Sequence, residues 1–222
     1  TMGHVTLYST PGSCAVAAHL ALELVGADYD AVQLDFSRNE QRSEVYLRTN
    51  PKGRVPALVT DQGVLTETPA ILQFIAQSYP TPEMASLREP WQLAKACEFH
   101  SYLGSTVHVN YAHKTRPYRW ADDEAAQAAM RAKAPQNVAD CFALIEREML
   151  RGPWVLGAQL SVCDVYLFTI AQWLPSAGIS IAAYPKVDQL VRALADMPAV
   201  QRVMEAYRSM PPPVIIPERR PR

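Results

Sequence analysis

The 222-residue chain has little cysteine, and what it has is dispersed. Cys14, Cys97, Cys141 and Cys163 form neither a C-x-x-C pair nor a zinc-ligand spacing. That excludes a disulfide framework and a metal site as first readings, and predicts free thiols in a reducing cytoplasm. No apolar run approaches the roughly 20 residues of a membrane-spanning helix. No charged start leads into an apolar core and a cleavage site, so no secretory signal is expected. A charge surplus is missing too. With 21 basic and 22 acidic residues the net charge is -1, which leaves no electrostatic footprint for nucleic acid or an acidic membrane. Internal repeats are absent. What remains is 49% hydrophobic, enough to build a core in one or two domains.

The stretch from Asn50 to Ile71 organises the rest. Val55-Pro56 opens a short apolar run, Ala57-Leu58-Val59-Thr60, at a place where a missing N–H breaks no ladder. Asp61-Gln62-Gly63 is turn chemistry, so Val64-Leu65-Thr66 should return as the second strand of a hairpin. Thr68 followed by Pro69 predicts a helix with Thr68 at its N-cap, continued by Ile71, Phe74, Ile75 and Tyr79 at helical spacing. Pro56 is a candidate cis residue, which would let Val55 offer its N–H and C=O to an extended peptide. Glu67-Thr68 at a helix N-terminus suits the charged groups of an amino acid, because free N–H groups and the helix dipole favour a carboxylate. A small peptide with an α-amino acid head fits both ends.

Around this stretch the pattern is strand, helix, strand, helix, hairpin, helix. Val5-Thr6-Leu7-Tyr8 is a strand. Ser13 is the N-cap of a helix from about Cys14 to Val25 that Gly26 ends, and Tyr29 to Leu34 is a second strand. The segment from Asp35 to Arg42 is loop-like, and Ser43 to Thr49 is a short helix. Pro80-Thr81-Pro82 is a stiff break, which puts one domain at 1–80 and an all-helical one at 88–222. In the second, Glu89 to Val109 and Glu124 to Leu150 are long helices, the latter expected to kink at Pro135. Ser161-x-x-Asp164 is a capping box heading a helix apolar nearly all round. Two surface helices follow, Pro185 to Met197 and Ala199 to Met210. The tail from Pro211 to Arg222 holds five prolines and is expected to be extended or disordered.

N-P-K-G-R-V-P-A-L followed by T-E-T-P-A-I closely resembles the glutathione-binding half of cytosolic glutathione transferases. L-Y-S-T-P-G-S-C-A upstream is similar to the cysteine-containing bacterial beta class, and L-S-V-C-D-V-Y-L-F downstream looks like that family's buried helix. The resemblance implies a thioredoxin-like α/β N-terminal domain, an all-α C-terminal domain and a homodimer. It further implies glutathione as co-substrate, with a hydrophobic electrophile taken between the domains for detoxification.

Carried over residue by residue, it implies that Cys14 meets the glutathione sulfur, with the hydroxyls of Ser9 and Ser13 as alternative catalytic groups. Cys14 beside a helix start is also expected to have a lowered thiol pKa. Glu67 and Thr68 would hold the γ-glutamyl end, Val55 and Pro56 the cysteinyl backbone, and Lys52 the glycine carboxylate, with Arg54 beside them. Asn39, next to Arg38, stands where the beta pattern has a lysine. His108 aligns with a beta-class histidine, but Val109 follows it where that pattern has lysine. Ser101 replaces an asparagine that would reach the partner subunit's ligand. The stretch V-H-V-N-Y-A-H-K-T-R-P-Y-R-W is rich in His, Arg and aromatics, which reads either as the wall of the electrophile pocket, with Tyr111, His113, Arg116 and Trp120 beside His108, or as a helix-loop surface with ordinary cation–π contacts. Two rivals stay open: a thiol reductase or peroxidase acting through Cys14, and a non-catalytic glutathione- or ligand-binding protein. An isomerase would call for a more basic loop than S-T-P-G-S-C.

Overall fold

The computed structural model describes residues 3–208. Its first half holds β1 (Val5–Ser9), α1 (Ala15–Leu24), β2 (Tyr29–Gln33), α2 (Glu44–Thr49), β3 (Ala57–Thr60), β4 (Gly63–Thr66) and α3 (Thr68–Ser78). The sheet order is β2-β1-β3-β4, with β1 and β2 parallel and the other pairs antiparallel. A parallel pair needs a crossover, which α1 supplies, whereas β3 and β4 close through a tight turn ending at Gly63. Gly63 has φ 130, a region in which a Cβ is strained.

α1 is buried from Ala15 to Leu22, because it lies under the sheet and meets α3, α7 (Val162–Ala171) and α9 (Pro198–Arg208) as well. Alanine dominates it for that reason: small side chains let several elements approach one helix. Its first residue is Ala15, with Cys14 at the cap position and the Ser13 hydroxyl accepting from Ala15 N at 3.3 Å. α3 differs from expectation by one residue. Thr68 is its first helical residue and Glu67 the cap, held at φ 73.

The second half is helical. The helix expected over 89–109 begins as α4 (Pro90–Tyr102), passes through a π-helical segment, Leu103–Val107, and continues as α5 (His108–Thr115). Such widened turns are often found at functional sites. α6 (Glu124–Leu144) runs unbroken through Pro135 and ends in a second π-helical segment, Ile145–Met149. α7 is buried at every position and carries the expected capping box. α8 (Pro185–Ala195) and α9 bury one stripe each, Val187, Leu190 and Leu194 in α8 and Val200, Val203 and Tyr207 in α9. Met210 and the proline-rich tail lie outside the described residues. One hydrophobic cluster joins α1 and α3 to α4 and α7, so the two halves share a core. No helix among the described residues is long and apolar enough to cross a membrane.

Candidate active site

Between the halves lies a cleft of about 800 Å³. The loop Thr10–Cys14, the segment Arg54–Pro56 and the start of α3 form one wall. The π-helical turn, α5, Tyr166 of α7 and Trp173 form the other. Gly104, in the π-helical turn, faces the Tyr166 hydroxyl and Pro69, and a Cβ there would make only ordinary contacts, at 3.6 and 4.0 Å.

The Val55–Pro56 peptide is cis. The turn before it is braced by two donors to the Arg54 carbonyl, Tyr46 Oη at 2.6 Å and Asn50 Nδ2 at 2.7 Å. Asn50 and Tyr46 are both buried, so the backbone at Val55 is presented by a fixed frame. The Cys14 thiol donates to the Val55 carbonyl at 3.8 Å. Burial pushes that thiol up, against the pull of the Thr68 hydroxyl beside it. The lowering expected from the helix start is therefore not realised, because removal from water outweighs it. Cys14 at neutral pH is a thiol, able to donate a hydrogen bond.

The loop hydroxyls are committed elsewhere. Ser13 Oγ lines the cleft but donates to the Thr10 carbonyl at 2.7 Å, and Thr10 Oγ1 donates to Leu34 O at 2.8 Å. Ser9, expected as a catalytic hydroxyl, is fully buried and accepts from Tyr207 Oη at 2.8 Å. It points into the packing between β1 and α9, away from the cleft, because the inward face of β1 includes its last residue. Lys52, expected at the glycine end, is not among the residues lining the cleft. Its ammonium pairs with the Glu67 carboxylate and donates to Thr66 Oγ1 at 2.8 Å, because the turn folds it back over β4.

Glu67, Thr68, Val55, Pro56 and Arg54 all line the cleft, as do His108, Tyr111 and Arg116. His113 and Trp120 do not: they pack edge to face on each other, 4.5 Å between centroids. Burial, aided by the charges of Arg116, Arg54 and Arg119, pushes His108 down to about 4, so its imidazole is neutral. Trp173 stands edge-on to both His108 and Tyr111, at 4.9 and 5.3 Å.

Sequence reasoning missed Asn50, Tyr166, Trp173, His100 and Arg119. Tyr166 had a signal, since a tyrosine inside an otherwise apolar helix needs somewhere for its hydroxyl to go. His100 had none, because its neighbours in sequence read as an ordinary helix face.

Buried polar atoms without a hydrogen-bond partner gather here. Among the described residues there are six, and four of them, Gln41 Oε1, Thr68 Oγ1, His100 Nε2 and Tyr111 Oη, belong to residues of the cleft. Folded proteins seldom leave such groups unpaired, and ordered water or a bound group commonly supplies the missing partner.

A four-stranded α/β half with a cis proline beside an open helix start, joined across a cleft to an all-helical half, defines a thioredoxin-like, peptide-thiol-binding class of protein. The chain belongs to the glutathione S-transferase family: the model of that family's N-terminal domain matches residues 3–77 and that of its C-terminal domain residues 110–206. It is similar to the crystal structure of a Sulfitobacter glutathione transferase homolog with bound glutathione, at 38% identity and a TM-score of 0.85. That match covers 92% of this chain and 99% of the other. Glutathione S-transferase GstA of Escherichia coli O157:H7 is 27% identical over 90% of this chain and 97% of that protein. Maleylacetoacetate isomerase of Pseudomonas aeruginosa is 28% identical over 90% of this chain and 94% of its own length.

Proposed function

We propose that the protein binds reduced glutathione in this cleft and transfers its thiolate to a hydrophobic electrophile. The observation that carries the reading is the open start of α3. There the Thr68 hydroxyl is buried without a partner while the Glu67 carboxylate stands at the mouth. The γ-glutamyl ammonium would pair with Glu67, and its carboxylate would take the Thr68 hydroxyl and the free N–H groups of the helix. The cysteinyl backbone would run antiparallel to Val55. This brings the glutathione sulfur toward Cys14, whose protonated thiol would donate to the thiolate and stabilise it, a preorganised electrostatic role. A protonated Cys14 disfavours thiol exchange, which needs a thiolate as nucleophile. The electrophile would lie against Tyr111, Trp173 and Arg116. A homodimer, with the domain boundary near Pro80, completes the reading.

Calorimetric titration with glutathione tests it: saturable binding by the wild type, weakened by about 2–3 kcal/mol in Glu67→Ala, is expected. A folded wild type that does not bind would end the proposal. A second reading, glutathione-dependent isomerisation, is favoured by the similarity to maleylacetoacetate isomerase. The basic groups that S-T-P-G-S-C lacks are supplied here by Arg116 and Arg119 from the helical half. Isomerisation of maleylacetoacetate with catalytic glutathione would separate the two readings.

A further inference from the structure

Asp164, Tyr166 and Thr169 interrupt the apolar run of α7, and the fold uses the first and the last. Asp164 closes the helix start, and Thr169 Oγ1 donates to the Val165 carbonyl at 2.8 Å. The Tyr166 hydroxyl has no hydrogen-bond partner among the described residues. Thr68 Oγ1, His100 Nε2 and Tyr111 Oη lack one too, but those atoms are sealed from solvent and the Tyr166 hydroxyl is not. Tyr166 as a whole is only 1% exposed. The part that stays open thus includes the hydroxyl, and it opens on the cleft that Tyr166 lines. Phenylalanine would fill the same core space, so the hydroxyl adds a desolvation cost that only a ligand can offset.

Its neighbours say what that ligand group is. Gly104 faces both the hydroxyl and Pro69, which puts the hydroxyl over the first turn of α3. Burial holds the phenol far above its ordinary range, and Cys14 and Glu67 add to this, so it is a donor at every working pH. The Thr68 hydroxyl lies beside the Cys14 thiol. Donors from α1, α3 and α7 therefore share one end of the cleft. The ring that carries the third is fixed, buried in the shared core with His100 packed across it at 5.6 Å between centroids. A donor held in place before its ligand arrives needs no reorganisation during reaction.

We propose that Tyr166 is a catalytic residue, its hydroxyl donating to the glutathione sulfur from the helical half while the Cys14 thiol donates from the other side. This rests on the glutathione-transfer reading. With the peptide's head at the start of α3 and its cysteinyl backbone along Val55, the sulfur emerges at Cys14, and Tyr166 is the donor across from it. The thiol proton passes to solvent, Tyr166 keeps its own, and the thiolate is left between two donors. With chlorodinitrobenzene the thiolate attacks the carbon bearing chlorine, a C–S bond forms, and chloride leaves with the electron pair of the C–Cl bond.

Tyr166→Phe removes the donor and keeps the ring, and its unfolding midpoint should match that of the wild type. The decisive readout is the ultraviolet absorption of the thiolate as glutathione-loaded protein is titrated with base. Protein loaded with γ-glutamyl-alanyl-glycine, which has no sulfur, serves as the blank, so that Cys14 and the tyrosines cancel. Losing a donor to an anion favours the protonated form, so the thiol midpoint should rise by about one pH unit, the effect of one hydrogen bond to a charged group. Below both midpoints the rate with chlorodinitrobenzene at saturating glutathione should fall about tenfold, and in alkali it should approach that of the wild type. Affinity for the sulfur-free peptide should be unchanged. An unmoved midpoint in Tyr166→Phe overturns the proposal. So does weaker binding of the sulfur-free peptide with the midpoint kept, since the hydroxyl would then serve the peptide's head. Those two outcomes strike Tyr166 alone. A wild type that does not bind glutathione, or binds it with the thiol midpoint of free glutathione, removes the transfer reading and this proposal together.

Discussion

Two helix starts in this molecule are built from the same parts and finished differently. At α7 the N-terminus is closed from within. Ser161 Oγ accepts from Cys163 N at 3.2 Å, while Asp164 accepts from Ser161 N and from Val155 N, both at 2.7 Å. Ser161 and Asp164 are fully buried. At α3 the cap residue has no side-chain bond to its helix and a left-handed φ of 73, and the adjacent hydroxyl has no partner. Both ends present backbone N–H groups and the positive pole of a helix. Where a side chain satisfies them they hold the fold, and where none does they are left for a ligand. The strained φ at Glu67 fits that contrast, because backbone strain of this kind concentrates at binding sites.

The contrast can be tested from its largest expected effect downward. Acid should act most broadly. His19, His100 and His108 are each pushed down to about 4 by burial, with the arginine charges adding to it at His108. An unfolded chain would take up those protons near 6.5, so it binds more protons than the native state between about 6.5 and 4. Stability should therefore fall as pH drops through that window. Asp164 works the other way, because burial pushes its carboxyl up to about 7 and the native state then holds the extra proton below that. Urea unfolding at a series of pH values should show three histidines outweighing one carboxyl. A midpoint that rises on acidification would mean the α7 cap dominates.

Asp164→Ala comes next. It strips the partners from two buried backbone N–H groups, at a cost of about 2–5 kcal/mol of unfolding free energy. Glutathione affinity of the protein that remains folded should be unchanged. Glu67→Ala should do the converse. Affinity should fall by about 2–3 kcal/mol, the range for losing a charge-assisted contact, with an unfolding midpoint within the error of the wild type. Smallest is Thr68→Val, which removes a hydroxyl that has no close hydrogen-bond partner and only the Cys14 thiol beside it. Affinity should drop by about 1 kcal/mol while stability stays level or rises, since an unsatisfied buried group is gone. A Thr68→Val protein that unfolds earlier would show that the hydroxyl was structural after all.

What the sequence made legible follows the same division. The closed start at α7 could be read from Ser161 and Asp164 because its partners are three residues apart. The hairpin, the cis-proline turn and the halves' fold classes are local in the same way, and so is Glu67-Thr68, displaced by one residue because only the backbone shows that Glu67 is left-handed. Ser9 and Lys52 lie off the lining of the cleft for the opposite reason. Each is decided by a group distant in sequence, Tyr207 in the first case and Glu67 in the second. Cys14 was misjudged on sign. Its position at a helix start is visible in the chain, but the burial that outweighs it arises only in the folded protein, where the Val55 carbonyl and Thr68 stand against the thiol. Arg119 and Trp173 needed the whole helical half to bring them onto the cleft.

The contact between Ser9 and Tyr207 belongs to a longer chain of hydrogen bonds. His19 meets the Tyr207 hydroxyl at 2.8 Å and that of Tyr29 at 3.1 Å, and Tyr29 donates to Glu23, which also receives Arg202 at 2.8 Å. Ser9 and Tyr207 are separated by 198 positions. During synthesis the first strand, the first helix and the loop bearing Cys14 therefore emerge long before the residue that completes them. A nascent chain halted before α9 leaves Ser9, His19 and Tyr29 without that partner. The loop bearing Cys14 thus acquires its final support only once α9 has been made and folded back onto it.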